Sequence, residues 1–228
     1  ELELQKVIQG DGPLEIARLK SAMQKSFAKY DELNGYSQDL LELQKIGYLN
    51  PNELKLAEKK LLEEKTLPNF NFTNEQTYLI DTHWIEAAHY VAKNTHERGI
   101  KCVVDLDNFT KSTAVDETIN YSSHPIFSET GLLQYTNDNS VIDSLKNLYK
   151  SNNKFYAVTL GSKGVYWIEN GSVFNCKPPK IKVIETNCAG DVFHGAFAAF
   201  IHQKHSVMDS MKLATATASL KCTKKGGI

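Results

Sequence analysis

Two mainly apolar runs constrain this chain more than anything else in it. Residues 100–106 (IKCVVDL) and 155–160 (FYAVTL) show no alternation of polar and apolar side chains, so a strand built from either must be covered on both faces. Strands of that kind belong to parallel sheets packed between helices. The intervening stretches agree. Residues 84–98 are amphipathic and close on Gly99 as a helix terminator, and Ser140 opens a helix running to about Lys150. Residues 77–80 (TYLI) and 125–127 (PIF) are shorter strand candidates. Residues 165–168 and 172–175 flank Glu169-Asn170-Gly171, where Asn-Gly sets the turn of a hairpin. Two last helices span 192–203 and 207–222. Strands alternating with helices predict an α/β fold over residues 76–228, with a mostly parallel sheet flanked by helices.

Residues 1–75 read as a separate helical N-terminal segment of unknown role. Leu14, Ala17, Leu19 and Met23 form an apolar stripe, followed by Leu40, Leu41, Leu43 and Ile46. Asn50, Pro51 and Glu53 make a helix start with a capping box, and the Lys- and Glu-rich helix after it reads as a solvated face until Leu67-Pro68-Asn69 breaks the pattern. One isolated helix cannot bury Leu40, Leu41 and Ile46 together, so they are expected to pack on the α/β body or on a second copy, as a homodimer. The net charge of −1 gives no general attraction to nucleic acid or anionic lipid, and no apolar run has the length of a membrane span. Cys102, Cys176, Cys188 and Cys222 lie far apart, without metal-ligand spacing, and read as reduced thiols of a cytoplasmic protein. His89 and His96 are seven residues apart on one helix, too far to hold one metal unaided. The sequence opens without Met and stops after Gly226-Gly227-Ile228, so we expect a fragment or a processed chain.

Chemistry concentrates in Glu185-Thr186-Asn187-Cys188-Ala189-Gly190-Asp191, followed at once by the small-residue helix VFHGAFAAF. A strand running into a Cys-Ala-Gly turn and then a helix would present several backbone N–H groups at a helix N-terminus. Small side chains would let an anion come close, and the helix dipole would favour it. Asp191 then sits in the first helical turn, as a cap or as a working carboxylate.

This segment resembles the second signature of the PfkB-type, ribokinase-like carbohydrate kinases, Asp-Thr-x-Gly-Ala-Gly-Asp. Here Glu185 stands for the first Asp and Cys188 for the first Gly. The resemblance implies that Asp191 is the general base that takes the proton from a sugar hydroxyl, with Cys188, Ala189 and Gly190 supplying the anion hole. Phosphoryl transfer needs mainly positioning and charge stabilisation, which such a turn provides. A second match is Thr159-Leu160-Gly161-Ser162-Lys163-Gly164, similar to the family's Thr-Leu-Gly-x-x-Gly and about thirty residues ahead of Asp191. It implies nucleotide-phosphate contacts for Thr159, Gly161, Ser162 and Gly164, with Lys163 either at a phosphate or in solvent. A third is the thin helix 214–219, where Ala216 and Ser219 would let adenine lie flat, or would simply pack closely against another helix.

Thr223-Lys224-Lys225-Gly226-Gly227 resembles the family's closing turn, which implies that Gly227 belongs to the nucleotide site and that Glu185, Asn187 and Gly227 hold a monovalent cation such as K⁺. Asp105-Leu106-Asp107 resembles a family Asp-x-Asn/Asp at a strand end facing the cleft. In the family's Asn-x-x-Glu region Ser128 replaces Asn and Gly131 falls where Glu would be, leaving Glu129 as the candidate for magnesium. His194 reads as a core or surface histidine rather than a ligand.

The resemblance covers residues 76–228 and implies ATP- and Mg²⁺-dependent phosphorylation of a sugar or sugar-like alcohol. The family's N-terminal half, with its Gly-Gly sugar-contact motif and β-sheet lid, is not recognisable in residues 1–75, so the substrate is not legible. Two alternatives stay open: a non-catalytic nucleotide-binding or scaffolding protein of the same fold, and a half-enzyme that needs the sugar-binding half.

Overall fold

The computed structural model describes residues 71–226. The chain divides between Asn69 and Phe70 into two units, and the described residues belong to the second. The helices expected over residues 1–65, the capping box at Asn50–Glu53 within them, and Gly227 lie outside the described residues.

The order is β1 (Thr77–Asp81), α1 (Ile85–Glu97), β2 (Lys101–Leu106), α2 (Thr113–Tyr121), β3 (His124–Ser128), α3 (Glu129–Thr136), α4 (Val141–Asn152), β4 (Tyr156–Thr159), β5 (Val165–Glu169), β6 (Ser172–Cys176), α5 (Ala189–His202) and α6 (Val207–Lys221). The six strands lie side by side in chain order. β1 to β4 pair in parallel, and β5 and β6 are added antiparallel.

The apolar runs do what their composition requires. Alternate residues of β2 to β5 enter two separate cores. Val103, Ile126, Ala157, Val165 and Trp167 pack with Phe193, Phe197, Ile201, Met211 and Ala214 of α5 and α6. Val104, Leu106, Phe127, Tyr156, Val158 and Ile168 pack with Val115, Ile119, Leu132 and Leu145 of α2, α3 and α4. The β5–β6 hairpin turns on Asn170 and Gly171, both at positive φ (50° and 75°), as a two-residue Asn-Gly turn demands. Ser140 caps α4 by accepting a hydrogen bond from the Asp143 amide.

Two expectations need correction, and two helices were missed. No strand precedes the Cys188 turn: residues 177–187 run to it without helix or strand. Pro178 and Pro179 lack the amides a ladder needs, and β6 has already closed the sheet's edge. α5 begins at Ala189 rather than at residue 192, because Cys188 takes a left-handed conformation (φ 59°) and acts as the N-cap. α2 and α3 carried no clear helix pattern. α2 is short and carries Thr113, Thr118, Asp116 and Glu117 among its nine residues, and α3 starts directly at the end of β3, where Ser128 accepts from the Gly131 amide.

Candidate active site

Two turns come together at the carboxyl ends of the parallel strands. The first follows β4. Residues Gly161–Lys163 form a single 3-10 turn tied by its own backbone: Lys163 N donates to Leu160 O (3.0 Å), Gly164 N to Gly161 O (3.0 Å) and Leu160 N to Gly164 O (2.7 Å). Gly164 has φ 96°, and a Cβ there would lie 2.1 Å from the Cys176 carbonyl oxygen, so only glycine fits. Thr159 Oγ1 donates to Phe127 O (3.4 Å), anchoring the strand end.

The second turn runs from residue 184 into α5 and is held from outside. The Ile184 and Glu185 amides both donate to Cys222 O (2.8 and 3.2 Å). Glu185 accepts from Asn187 Nδ2 (2.8 Å) through Oε1 and from the Gly226 amide (3.0 Å) through Oε2. The Lys221 ammonium donates to Asn187 O. Ala189 N donates to Thr186 O (3.1 Å), and no side chain caps α5. A helix start leaves its first amides without intrahelical partners, and above Gly190 the space is open. Local positive charge is therefore exposed at Gly190 and Asp191. Asp191 itself is exposed.

His194, one turn into α5, is buried (its side chain is 4% exposed). Its Nδ1 lies 2.8 Å from Gly190 O and 3.1 Å from Asp105 Oδ2. With acceptors on both sides, Nδ1 carries the proton. Asp105 reaches it because β2 alternates: Val103 and Asp105 face α5, while Val104 and Leu106 face away. Burial pushes the Asp105 carboxyl up, against the opposing pull of His194, and the neighbouring carboxylates Asp107, Asp191 and Asp81 push it further. This tether between β2 and the start of α5 was not foreseen. The Asp-x-Asp run and His194 were both visible, but nothing local pairs residues 89 positions apart.

A cleft of about 430 Å³ joins the two turns. It is lined by Thr159, Gly161, Ser162 and Gly164 from the first, by Thr186, Ala189 and Gly190 from the second, and by Thr215, Ala218, Ser219 and Cys222 of α6. The Thr215 and Ser219 hydroxyls bond back to their own helix, to Met211 O and Thr215 O (2.7 Å each), so the wall they present is thin and mainly apolar. Ala216 does not line the cleft. Residues 215, 218, 219 and 222 share one helix face, and 216 is exposed beside it. The strap of Pro178, Pro179, Lys180, Ile181 and Val183 closes the cleft on the far side, a contribution that only the Pro-Pro pair hinted at.

The candidate metal residues are occupied otherwise. Glu129 pairs with Lys163 across the cleft's edge (3.2 Å). Ser128 Oγ caps α3 and donates to Asp107 O (3.2 Å). A Cβ on Gly131 would stand 2.4 Å from Leu106 O, which is why no acidic side chain is accommodated at that position. His89 and His96 both pack against the Tyr121 ring, at 5.8 and 5.3 Å. Among the described residues, no group of three or more His, Cys, Asp or Glu is placed to hold a metal ion, and no helix is long and apolar enough to cross a membrane.

The family model for pfkB family carbohydrate kinases matches residues 43–228, beginning well ahead of Gln76. The Lactococcus lactis ribokinase is 35% identical over 83 residues, covering 36% of this chain and 28% of the ribokinase. The Klebsiella oxytoca D-tagatose-1-phosphate kinase is 28% identical over 87 residues, covering 38% and 29%. A solved structure of an Agrobacterium tumefaciens protein superposes with a TM-score of 0.64 at 27% identity, over 70% of this chain and 55% of that one. The fold also matches a Vibrio cholerae fructokinase solved with fructose, ADP and calcium ion, with a TM-score of 0.58, 21% identity and coverage of 71% and 58%. The chain thus spans little more than half the length of these structural neighbours.

Proposed function

The chain belongs to the pfkB family of carbohydrate kinases, and from that premise we propose that it transfers the γ-phosphoryl group of ATP to a hydroxyl of a sugar or sugar-like molecule. The single observation that carries this reading is the convergence of the 159–164 turn and the open start of α5 on one cleft. In this proposal the glycine-rich first turn lies along the phosphates, through Thr159, Gly161, Ser162 and Gly164. Adenine lies against Thr215, Ala218 and Ser219. Of the Cys188, Ala189 and Gly190 turn, the Ala189 amide is already given to Thr186 O, so the Gly190 amide, with that of Asp191, faces the charge that develops on the transferring group. Asp191, beside them, accepts the proton of the attacking hydroxyl.

Magnesium would enter with the nucleotide, since Mg²⁺ in such sites is held by substrate phosphates and water with one or two carboxylates rather than by an all-protein cage. It would supply neutralisation of phosphate charge. Glu129 is available for that only by giving up Lys163. A cytoplasmic location for a chain with four free thiols, the absence of a nucleic-acid or membrane partner, and the division at residues 75 and 76 are parts of the same proposal. So is a homodimer through Leu40, Leu41 and Ile46. Sedimentation of the full chain and of a chain lacking residues 1–65 tests it, with a dimer expected in the first and a monomer in the second.

A second reading, nucleotide binding without turnover, is favoured by one observation. Cys188 holds a left-handed conformation (φ 59°) at the turn where glycine would be unstrained. The test that separates the two is ADP release over a panel of pentoses, hexoses and their phosphates, with wild type and Asp191→Asn side by side. Asn keeps size and capping ability but accepts no proton. We expect nucleotide binding to survive and turnover to fall by about 10²- to 10⁴-fold. Equal turnover in both proteins would remove the base assignment, and binding without turnover in wild type would favour the second reading.

A further inference from the structure

The cation site implied for Glu185 and Asn187 does not fit an exchangeable ion, and we propose that the Lys221 ammonium takes the ion's place. Lys221 sits in the last turn of α6 and is 9% exposed, so its charge is largely withdrawn from water and needs a partner within the protein. Its Nζ donates to the main-chain carbonyl of Asn187, a residue of the implied site. The Glu185 carboxylate, which would balance an ion's charge, is bound through one oxygen by Asn187 Nδ2 (2.8 Å) and through the other by the Gly226 amide (3.0 Å). Each of these three oxygens thus already accepts a protein donor, and the ammonium brings the single positive charge that an ion would bring.

The consequence for the site is mechanical. Thr186 O receives the Ala189 amide, so the loop that Lys221 and Glu185 fix is the one that aims the start of α5. An ion-filled loop would set that aim only when the ion is bound. A loop filled by the chain's own ammonium is set permanently and is indifferent to the potassium concentration. The proposal concerns the same loop as the proposed reaction. Its readout is native-state stability without nucleotide, so a chain inactive as a kinase still reports on it.

The experiment compares thermal midpoints of the full 228-residue chain in potassium, sodium and tetramethylammonium chloride at equal ionic strength. A ligand bound only to the native state raises the midpoint, so wild type should agree across the three salts to within about 1 °C. A potassium-specific, saturable rise in wild type would overturn the proposal, and this arm needs no variant. Lys221→Ala opens the space, and its midpoint should fall in tetramethylammonium and recover in part with potassium. A variant as stable as wild type in tetramethylammonium would overturn the proposal. So would one that is destabilised but blind to every small cation, because Lys221 would then be a tether and no stand-in for an ion.

Discussion

The two turns that build the cleft are made in opposite ways. The first, at residues 160–164, is closed by its own backbone and by glycines at φ 55° and 96°; what it needs from the rest of the molecule is room beside Cys176. The second, at residues 184–191, has few internal bonds. It is shaped by Cys222 and Lys221 from the end of α6, by Gly226, and by the Asp105–His194 pair that ties its helix to β2. The first can be damaged only from within. The second can be damaged from tens of residues away. A cleft assembled this way combines one prefabricated wall with one that depends on the tertiary fold.

Substitutions should separate the two modes. The largest effect is expected within the self-made turn: Gly164→Val places a side chain on the Cys176 carbonyl at a φ of 96° and should lower stability by about 4 kcal/mol in urea titration. A loss below about 1 kcal/mol would mean that the turn adapts and is not prefabricated. Next comes the remote support of the second turn. His194→Leu leaves the buried Asp105 carboxyl without its donor and should remove about 2–4 kcal/mol, whereas His194→Asn, whose Nδ2 can replace Nδ1, should lose less than half as much. Equal losses for Leu and Asn would show that the ring's packing matters and its hydrogen bonds do not. Smaller, and opposite in sign, is Cys188→Gly: relief of the left-handed strain should stabilise by about 0.5–1 kcal/mol in the same titration, and a destabilisation would place the Cys188 side chain in a packing role. Smallest is Lys163→Met. The Lys163–Glu129 pair bridges the cleft's edge, but its side chains are 68% and 43% exposed, so a change within about 0.5 kcal/mol is expected.

The same contrast explains what was legible in the sequence. The first turn was readable because its cause is local: two glycines three apart, directly after a buried strand. The Asn170-Gly171 hairpin and the Ser140 cap were readable for the same reason. The second turn was recognised as a motif, but its mechanics were not. Lys221 sits in a helix whose other residues read as a thin packing face, and nothing in its neighbourhood announces that its ammonium folds back onto Asn187. Asp105 and His194 each carried a plain local reading, and only the parallel register of β2 under α5 brings them together. The strand expected before Cys188 does not form; the segment opens on Pro178 and Pro179, which offer no ladder amides. Ala216 stands off the cleft because the 3.6-residue period turns it to an exposed position beside the lining face, which compositional thinness does not reveal.

The central claim is that the two turns together hold the phosphates of one nucleotide. Backbone amide exchange of the full chain, followed with and without saturating ADP and magnesium, tests it residue by residue and needs no turnover. The account predicts slowed exchange at residues 160–164 and 188–192 together, with the hairpin tip at Asn170 and Gly171 unchanged. Protection of neither turn, or of one without the other, would contradict it.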